Sequence, residues 1–351
     1  MPSELFFTII VGNEDRLPLR KTLLVILLLG LFWGTGCPPK NKADKLYTIG
    51  LFQVTESSTL SEARKGFIQA LETRGLRDGV NVRLKVRNAM GDISEVQRIA
   101  ESFVRDRVDL IVAFSTQCLQ AALIVTKKIP IVFASVADPY GISAGRSAED
   151  HLPNVTGVAS TGPIKETLAF IRRVLPKAKR IGTLWTPSEI NSEFYLDLTR
   201  QAAARLGMEI VAVPVNNSSD IVLAAQKLVN KKIEAIYQIS DNTINAAFET
   251  LGRVAEENGL PLFGGFIRST RLGAAAAMGW DFFDLGQKTG ALAVRVKDGE
   301  SPGRIPFQVM TVLKLSLNPA AAARQGIVFA PEVLKAADEV IAPADGDIVR
   351  N

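Results

Sequence analysis

Residues 92–117 read DISEVQRIAESFVRDRVDLIVAFSTQ, and residues 220–242 read DIVLAAQKLVNKKIEAIYQISDN. Each stretch opens on Asp-Ile, continues with apolar residues at helical spacing, and ends in a β-branched run followed by small polar residues. The likeness extends outward, because Ile49-Gly50 precedes the first stretch and Ile181-Gly182 the second. A repeat of roughly 130 residues is longer than the unit of about 20 to 50 residues found in solenoids. The sequence therefore predicts two similar lobes.

Both copies alternate short β-branched runs with helical periodicity, which is typical of parallel strands joined by crossover helices. Strands are predicted at residues 48–53, 82–86, 110–114 and 131–135 in the first copy, and at 180–185, 209–215, 235–239 and 262–266 in the second. The predicted helices between and after them include Ile93–Arg105, Thr243–Asn258 and Phe282–Lys297. The expected fold class is α/β, with two Rossmann-like lobes whose parallel sheets are flanked by helices.

Three segments are expected to cross between the lobes and form a three-strand hinge. They are Val155–Ala159, Ala274–Trp280 and part of Gln308–Leu317. With these crossings, lobe 1 comprises residues 46–158 plus about 280–310, and lobe 2 comprises residues 159–279 plus about 311–343. Two such lobes would face each other across a cleft with the carboxyl ends of their strands, where open parallel sheets bind ligands.

The N-terminus predicts export. Arg20-Lys21 precede the apolar run Thr22–Trp33, and small residues follow up to Cys37. This is the pattern of a cleaved signal peptide over residues 1–37, and the run is shorter than the ~20 residues of a membrane span. Cys37 is at the position of a lipidated lipoprotein cysteine, with residues 38–46 as a tether; an ordinary secretory cleavage site is the alternative. The expected location is the periplasmic side of a bacterial membrane, anchored through Cys37.

Composition and missing motifs exclude several function classes. The chain has 351 residues, 47% of them apolar, and its net charge of +5 comes from scattered Lys and Arg residues. We therefore expect no nucleic-acid partner. No phosphate-binding glycine loop and no His/Cys cluster at metal spacing occur, His151 is the sole histidine, and Cys118 has no cysteine partner if Cys37 is acylated. The sequence predicts no enzyme, no cofactor and no metal site.

Small polar residues follow the predicted strands, where helix N-termini present free N–H groups to a ligand. The candidate ligand-binding residues are Gln53, Thr55, Ser57, Ser115, Thr116, Gln117 and Asp138 in lobe 1, and Trp185, Asn191, Ser192, Asp241, Asn242 and Phe266 in lobe 2. Helix capping is an equally good explanation for the Ser, Thr, Asn and Asp residues. Asp241 is either a cap or the partner of a ligand ammonium, and the aromatic residues are either pocket or core.

Several stretches together resemble one family, the ABC-transporter substrate-binding lipoproteins of the tryptophan- and tyrosine-binding type. They are Ala63–Phe67, Val108–Ala113, Lys128–Phe133, Pro153–Val158 and Ser240–Thr243, and the resemblance covers about Tyr47 to Ile341. It implies the type 1 periplasmic binding protein fold. By matching motif positions it also implies that a ligand carboxylate is held by Ser115, Thr116 and Gln117, with Asn191, Ser192, Asp241 and Asn242 binding from the other lobe.

One loop departs from the family pattern. Where the resemblance implies a short Ser/Asp loop lining the pocket, this chain has Gly264–Ser269. The implied function is an extracytoplasmic receptor, monomeric and not an enzyme, that delivers a small solute to an ABC permease, and an amino acid with an aromatic or large apolar side chain is the expected solute. Two alternatives remain open: a ligand-sensing lipoprotein that partners a membrane sensor kinase, and a two-lobed Rossmann-like transferase.

Overall fold

The computed structural model describes residues 45–342 and the backbone of residues 348–350. The predicted signal peptide, the lipidated Cys37 and the tether up to residue 44 lie outside the described residues. Among the helices that are described, none combines the length and apolarity that a membrane crossing needs.

Lobe 1 is built on a six-stranded sheet in which every strand pair is parallel. Its strands are β1 (Tyr47–Gln53), β2 (Val82–Asn88), β3 (Leu110–Phe114), β4 (Ile131–Val136), β5 (Val155–Ala159) and β11 (Gln308–Val309), in the spatial order β11-β5-β4-β3-β1-β2. The helices are α1 (Ser58–Thr73), α2 (Ile93–Arg105), α3 (Thr116–Val125) and the late α9 (Phe282–Lys297), which returns to pack against α1.

Lobe 2 is built on an eight-stranded, mostly parallel sheet. Its strands are β6 (Arg180–Trp185), β7 (Glu209–Pro214), β8 (Ala235–Gln238), β9 (Leu262–Gly264), β10 (Ala276–Gly279), β12 (Lys314–Leu317), β13 (Glu339–Ile341) and β14 (Ile348–Arg350), in the order β14-β13-β12-β10-β9-β8-β6-β7. The pairs β10–β12 and β13–β14 are antiparallel. The helices are α4 (Ile164–Val174), α5 (Ile190–Arg205), α6 (Ile221–Asn230), α7 (Asn242–Ala246), α8 (Phe248–Glu257), α10 (Pro319–Arg324) and α11 (Pro331–Lys335).

The chain passes between the two sheets three times within residues 45–342. The passages follow β5, β10 and β11, since each of these strands is succeeded by an element of the other lobe. The contacts between them include the hydrogen bond from Trp280 Nε1 to the carbonyl of Thr161 at 2.9 Å and the contact of Lys314 Nζ with Asp281 at 2.9 Å. The α/β class with two helix-flanked, mostly parallel sheets is confirmed.

The repeated stretches form the same unit in both lobes. In the first, Asp92 caps α2 by accepting from the N–H groups of Ser94 and Glu95, and the helix buries Val96, Ile99 and Phe103 against the sheet before β3 follows. In the second, α6 buries Ile221 and Leu228 and leads into β8. Since both units end at the carboxyl edge of a parallel sheet, the polar residues after β3 and β8 face the cleft.

The single helix predicted over Thr243–Asn258 is wrong. The structure has two helices there, because Ala247 leaves helical geometry at φ −128° and ψ 33°. The break allows Phe248 to pack edge-on against Phe266, with ring centroids 5.2 Å apart in the core of lobe 2. No proline or glycine marks this position, so tertiary packing overrides a locally continuous helical pattern.

Candidate functional site

Gln117, in the first turn of α3, joins the two lobes through its side-chain amide. Its Nε2 donates to Asn191 Oδ1 at 2.7 Å and to Glu189 Oε2 at 3.3 Å, and its Oε1 accepts from Asn242 Nδ2 at 3.2 Å. Gln117 belongs to lobe 1, whereas the three partners belong to lobe 2. We call Gln117, Glu189, Asn191 and Asn242 the central latch, because these bonds join the two lobes.

Glu189 organises the lobe 2 side of the central latch. It is 3% exposed and accepts hydrogen bonds from the N–H and Oγ1 of Thr243, from the N–H and Nδ2 of Asn242, and from Nδ2 of Asn191, all at 2.7 to 3.1 Å. The carboxylate therefore caps α7, although Glu189 precedes α5 in the chain. Sequence reasoning did not select Glu189, because the helix that it caps begins 53 residues later.

Asp241 is fully buried beneath the central latch. Its two carboxylate oxygens accept from the N–H and Oγ1 of Thr186, from Ser192 Oγ at 2.6 Å, and from the N–H of Ile244 at 2.9 Å. Of the two roles that the sequence left open, helix capping is the one that the structure displays. Direct contact of Ser192 or Asp241 with a ligand stays a prediction.

The surroundings of Asp241 perturb its ionisation. Burial, followed by the nearby carboxylate of Glu189, raises the pKa of Asp241 to about 7, while the hydrogen bonds from Ser192, Ile244 and Thr186 oppose that rise. The unfolded chain should show an ordinary Asp pKa of about 4. The folded protein therefore binds more protons than the unfolded chain between these two values.

We expect the contribution of Asp241 to the free energy of unfolding to fall as the pH rises from about 4 to about 7, because a group with a raised folded pKa contributes stability that is lost on ionisation. Carboxyl groups with lowered pKa values, such as Glu56 and Asp281, change stability in the opposite direction, so the contribution is read as the difference from Asp241→Asn, which cannot titrate. Urea denaturation between about pH 4 and 8 measures the difference, with the exposed Asp197→Asn as control. An identical pH dependence of the free energy of unfolding in Asp241→Asn and the wild type would contradict this assignment.

Strained hydroxyl residues lie at the ends of β3 and β4. Ser115 has φ 117° and Ser135 has φ 56°, and the two are close because the N–H of Ser115 donates to the carbonyl of Ala134 at 3.1 Å. Within the described residues, Ser135 Oγ and Thr116 Oγ1 are buried without a hydrogen-bond partner. Strained backbone costs of order 1 to 3 kcal/mol per residue and clusters at ligand clamps. Ser135 was not predicted.

A cavity of about 260 Å³ lies between the lobes beside the hinge, and we call it the hinge-side cavity. The start of α1 and the start of α9 form its lobe 1 wall, and the 3₁₀ segment Ile267–Leu272 contributes its lobe 2 wall. Ser58 Oγ, in the first turn of α1, is buried without a partner in the described chain. The apolar lining comprises Phe266, Ile267, Trp280, Phe282 and Phe283. Of these residues, Phe266 was predicted from the sequence to bind ligand.

The other predicted residues are distributed around the cleft. Gln53 is buried at the end of β1, where its Oε1 accepts from Arg64 at 2.6 Å, and Ser57 caps α1. Thr55 lines a cavity of about 170 Å³ with Glu189 and Asn242, and Asp138 lines another of about 170 Å³ with Thr116 and Asn191. Trp185 packs against the core of lobe 2.

Replacing Gln117 with alanine should shift the lobes toward the open state. Each net hydrogen bond stabilises by about 0.5 to 1.5 kcal/mol, so losing the three interlobe bonds should change the closed-to-open ratio by at least about 10-fold. Small-angle X-ray scattering would measure the change as a larger radius of gyration. Gln226→Ala, an exposed residue of α6, is the control. Identical scattering from Gln117→Ala and Gln226→Ala would refute the latch.

Among the residues that the structure describes, no group of three or more His, Cys, Asp and Glu side chains could hold a metal ion. The polar groups of the cleft are instead hydroxyls, amides and carboxylates arranged for hydrogen bonding. This arrangement suits the enclosure of a small solute between two closing lobes.

Known proteins share this architecture. A family model described as ABC transporter substrate binding protein matches residues 48–341. A tyrosine-binding protein of Clostridioides difficile (strain R20291) is 35% identical over 308 residues, covering 85% of this chain and 89% of that protein. An ABC domain from Streptococcus pneumonia, solved in complex with L-Trp, is 28% identical with a TM-score of 0.80, covering 84% of this chain and 100% of that one.

A third similar structure is an open one. The ligand-free, open structure of a substrate binding protein with adhesive properties from Clostridium difficile is 31% identical, with coverage of 82% and 97%, but its TM-score is 0.61. At similar identity, this chain therefore superimposes better on the L-Trp complex than on the open structure, as expected for lobes joined by the central latch. The family match extends over nearly all described residues, and the chain belongs to the ABC transporter substrate binding protein family, with the type 1 periplasmic binding protein fold.

Proposed function

We propose that this protein is the extracytoplasmic receptor of an ABC importer and that it binds an amino acid with an aromatic or large apolar side chain. The hinge-side cavity is the observation that carries the proposal. Its volume of about 260 Å³ is just below the ~300 to 1,000 Å³ of drug-sized ligand sites, which suits a molecule of the size of one amino acid. The similarity to a tyrosine-binding protein and to a complex with L-Trp supports the same class of solute.

The aromatic lining explains how such a solute would favour closure. Phe266 comes from lobe 2, whereas Phe282 and Phe283 open the α9 helix of lobe 1, so a ring between them contacts both lobes at once. Burial of an apolar side chain is worth about 1.5 to 3 kcal/mol. Since both walls meet only in the closed state, the solute binds that state more tightly and shifts the population toward it. A permease would then recognise the closed receptor.

Other polar residues of the cleft would hydrogen-bond the solute. Ser115, Thr116 and Ser135 would offer it hydroxyl groups, and Asp138 lies beside Thr116 at the same edge of lobe 1. Gln117, Asn191 and Asn242 contribute by holding the lobes closed. The protein acts by binding and release, as a monomer and without catalysing a reaction.

Attachment to the membrane through a lipid on Cys37 is also part of the proposal. Residues 38–46 would tether the receptor close to its permease. Mass measurement of the mature N-terminal peptide tests this point. A peptide beginning at acylated Cys37 supports the anchor, and an unmodified N-terminus would show that the receptor is free after export.

A binding screen tests the choice of solute. Protein refolded to remove carried ligand is titrated with aromatic and branched amino acids, sugars, nucleosides and organic acids while its thermal unfolding is followed. A ligand at about 100 times its Kd stabilises the fold by about 2.7 kcal/mol, which is readily detected. We expect a selective response to aromatic or large apolar amino acids.

Variants locate the site. Phe283→Ala should weaken binding of the responding amino acid by removing part of the hinge-side wall, whereas Leu223→Ala, on the exposed face of α6, should leave the affinity close to that of the wild type. No response to any amino acid would overturn the proposed solute class. Equal affinities in Phe283→Ala and the wild type would move the site away from the hinge.

A further inference from the structure

Arg268 stands apart from the other charged residues of the hinge-side cavity. Arg271 is paired with Glu339 at 2.5 Å, and Asp281 is paired with Lys314 at 2.9 Å. Arg268, by contrast, has one charged neighbour in the described chain, Glu62 across the cleft, at 3.6 Å. That separation is too long for a hydrogen bond. Arg268, half-exposed and ion-paired with Glu62, thus brings the N–H donors of its guanidinium to the cavity with no hydrogen-bond acceptor among the residues that the structure describes.

The carboxylates around the cavity are already engaged by this chain's own donors. Glu62 accepts from Lys65 at 3.0 Å, and Glu339 accepts from Ser316 Oγ at 2.8 Å in addition to Arg271. Asp281 caps α9 by accepting from the N–H groups of its first turn. The carboxylates of the cavity wall therefore already accept hydrogen bonds from donors of the protein itself.

The opposite wall adds more donors. Ser58 Oγ is buried without a partner, and it lies in the first turn of α1, a helix of 16 residues. The first N–H groups of a helix have no partner within it and carry the positive end of its dipole. The Ser57 side chain accepts from the N–H of Leu60 and lies 3.0 Å from Thr59 Oγ1, and the Ser57 carbonyl accepts from the N–H of Ser61. The first turn of α1 and Arg268 thus line the cavity from opposite lobes.

We propose that Arg268 and the N-terminus of α1 hold the carboxylate of the solute, and that Arg268 determines specificity for an aromatic or apolar solute with a free carboxylate. The proposal rests on the proposed function and narrows its solute class. A planar guanidinium bonds a carboxylate through two parallel N–H···O contacts, which neither lysine nor glutamine can reproduce. Because Arg268 and α1 belong to different lobes, a carboxylate between them would also bridge the closed cleft.

The test compares a free amino acid with its carboxamide, which keeps the side chain and ammonium group but removes the negative charge. Isothermal titration calorimetry measures both ligands with the wild type, Arg268→Gln, Arg268→Lys and a control. Arg200→Gln is the matched control, since Arg200 is 52% exposed and 3.8 Å from Asp197, close to the 51% and 3.6 Å of Arg268.

The wild type and Arg200→Gln should prefer the acid over the carboxamide by about 10- to 100-fold, the range expected for charge-assisted hydrogen bonds. Arg268→Gln should bind the carboxamide as the wild type does but lose that preference, and Arg268→Lys should retain part of it. Unchanged thermal unfolding of the free Arg268→Gln protein confirms that the fold is intact.

Two results would overturn the inference. If Arg268→Gln keeps the wild-type ratio of acid to carboxamide affinity, Arg268 does not bind the carboxylate. Binding of the amino acid by the wild type would still support the proposed function in that case. If the wild type responds only to uncharged solutes such as sugars, both the inference and the proposed amino-acid class fail.

Discussion

Glu189→Ala is expected to lower the free energy of unfolding by about 3 to 5 kcal/mol, as is typical when a buried hydrogen-bonded charge network is broken. The carboxylate accepts from both N–H groups that open α7 and from the side chains of Asn191, Asn242 and Thr243. Alanine leaves these buried donors without an acceptor. Each unsatisfied group costs about 1 to 3 kcal/mol, although the costs do not add fully within one network.

The same substitution should weaken solute binding, because Glu189 orients the lobe 2 partners of Gln117. Urea denaturation gives the stability, and titration calorimetry gives the affinity. Glu193→Ala is the matched control, since Glu193 is an exposed acidic residue in the first turn of the same helix, α5. A Glu189→Ala protein as stable as Glu193→Ala would show that water or a shift of α7 replaces the carboxylate.

Gly66→Ala is the second large effect, an expected loss of about 3 kcal/mol. Helices α1 and α9 touch through their backbones: a Cβ on Gly66 would lie 2.0 Å from the carbonyl oxygen of Phe283, and a Cβ on Gly286 would lie 2.0 Å from that of Ala63. A backbone atom cannot rotate away as a side chain can, so the helices must separate. Overpacking of this kind typically costs 1 to 3 kcal/mol and sometimes more.

The sign of the change in unfolding free energy on Gly66→Ala distinguishes close backbone packing from ordinary helix propensity. Alanine is normally more favourable than glycine inside a helix by roughly 0.5 to 1 kcal/mol. Gly75→Ala is the comparison, because Gly75 has φ +79° and open space around its Cβ position, so it should lose only the ~1 to 2 kcal/mol of a left-handed backbone. A neutral or stabilising Gly66→Ala would mean that α9 can move off α1 without cost.

Separation of α1 and α9 would also change the shape of the hinge-side cavity. Phe282 and Phe283 open α9, and Ser58 and Thr59 open α1, so both helix starts line the hinge-side cavity. The close contact at Gly66 and Gly286 therefore sets the width of the lobe 1 wall. We expect Gly66→Ala to weaken solute binding as well as the fold, whereas Gly75→Ala should affect the fold alone.

Local features of the sequence predicted most of the secondary structure. Helices α2, α6 and α9 have the predicted bounds, as do strands β3 and β6, because caps such as Asp92 and apolar spacing are properties of neighbouring residues. The helix over Thr243–Asn258 was wrong because the break at Ala247 is imposed by the distant ring of Phe266.

The candidate site was less accessible to sequence reasoning. Gln117, Asn191 and Asn242 were predicted because they follow strands, and parallel strands place their carboxyl ends at the edge of the sheet that faces the cleft. Glu189 escaped selection because its role is to cap a helix elsewhere in lobe 2. Arg268 belongs to the loop Gly264–Ser269 that departs from the family pattern, but its position in the cavity wall opposite Glu62, more than 200 positions earlier in the chain, depends on how the two lobes meet.

The sequence by itself determined the two-lobed α/β architecture of this protein and the edge of each sheet that faces the cleft, because periodicity, capping and strand direction act over a few residues. Only the tertiary structure decided which polar groups are hydrogen-bonded within the protein and which are available to a ligand. Asp241 is engaged by four donors of its own lobe, whereas Arg268 lines the hinge-side cavity 3.6 Å from Glu62 and Ser58 Oγ is buried without a partner in the described chain. That distinction depends on which groups meet when distant segments pack.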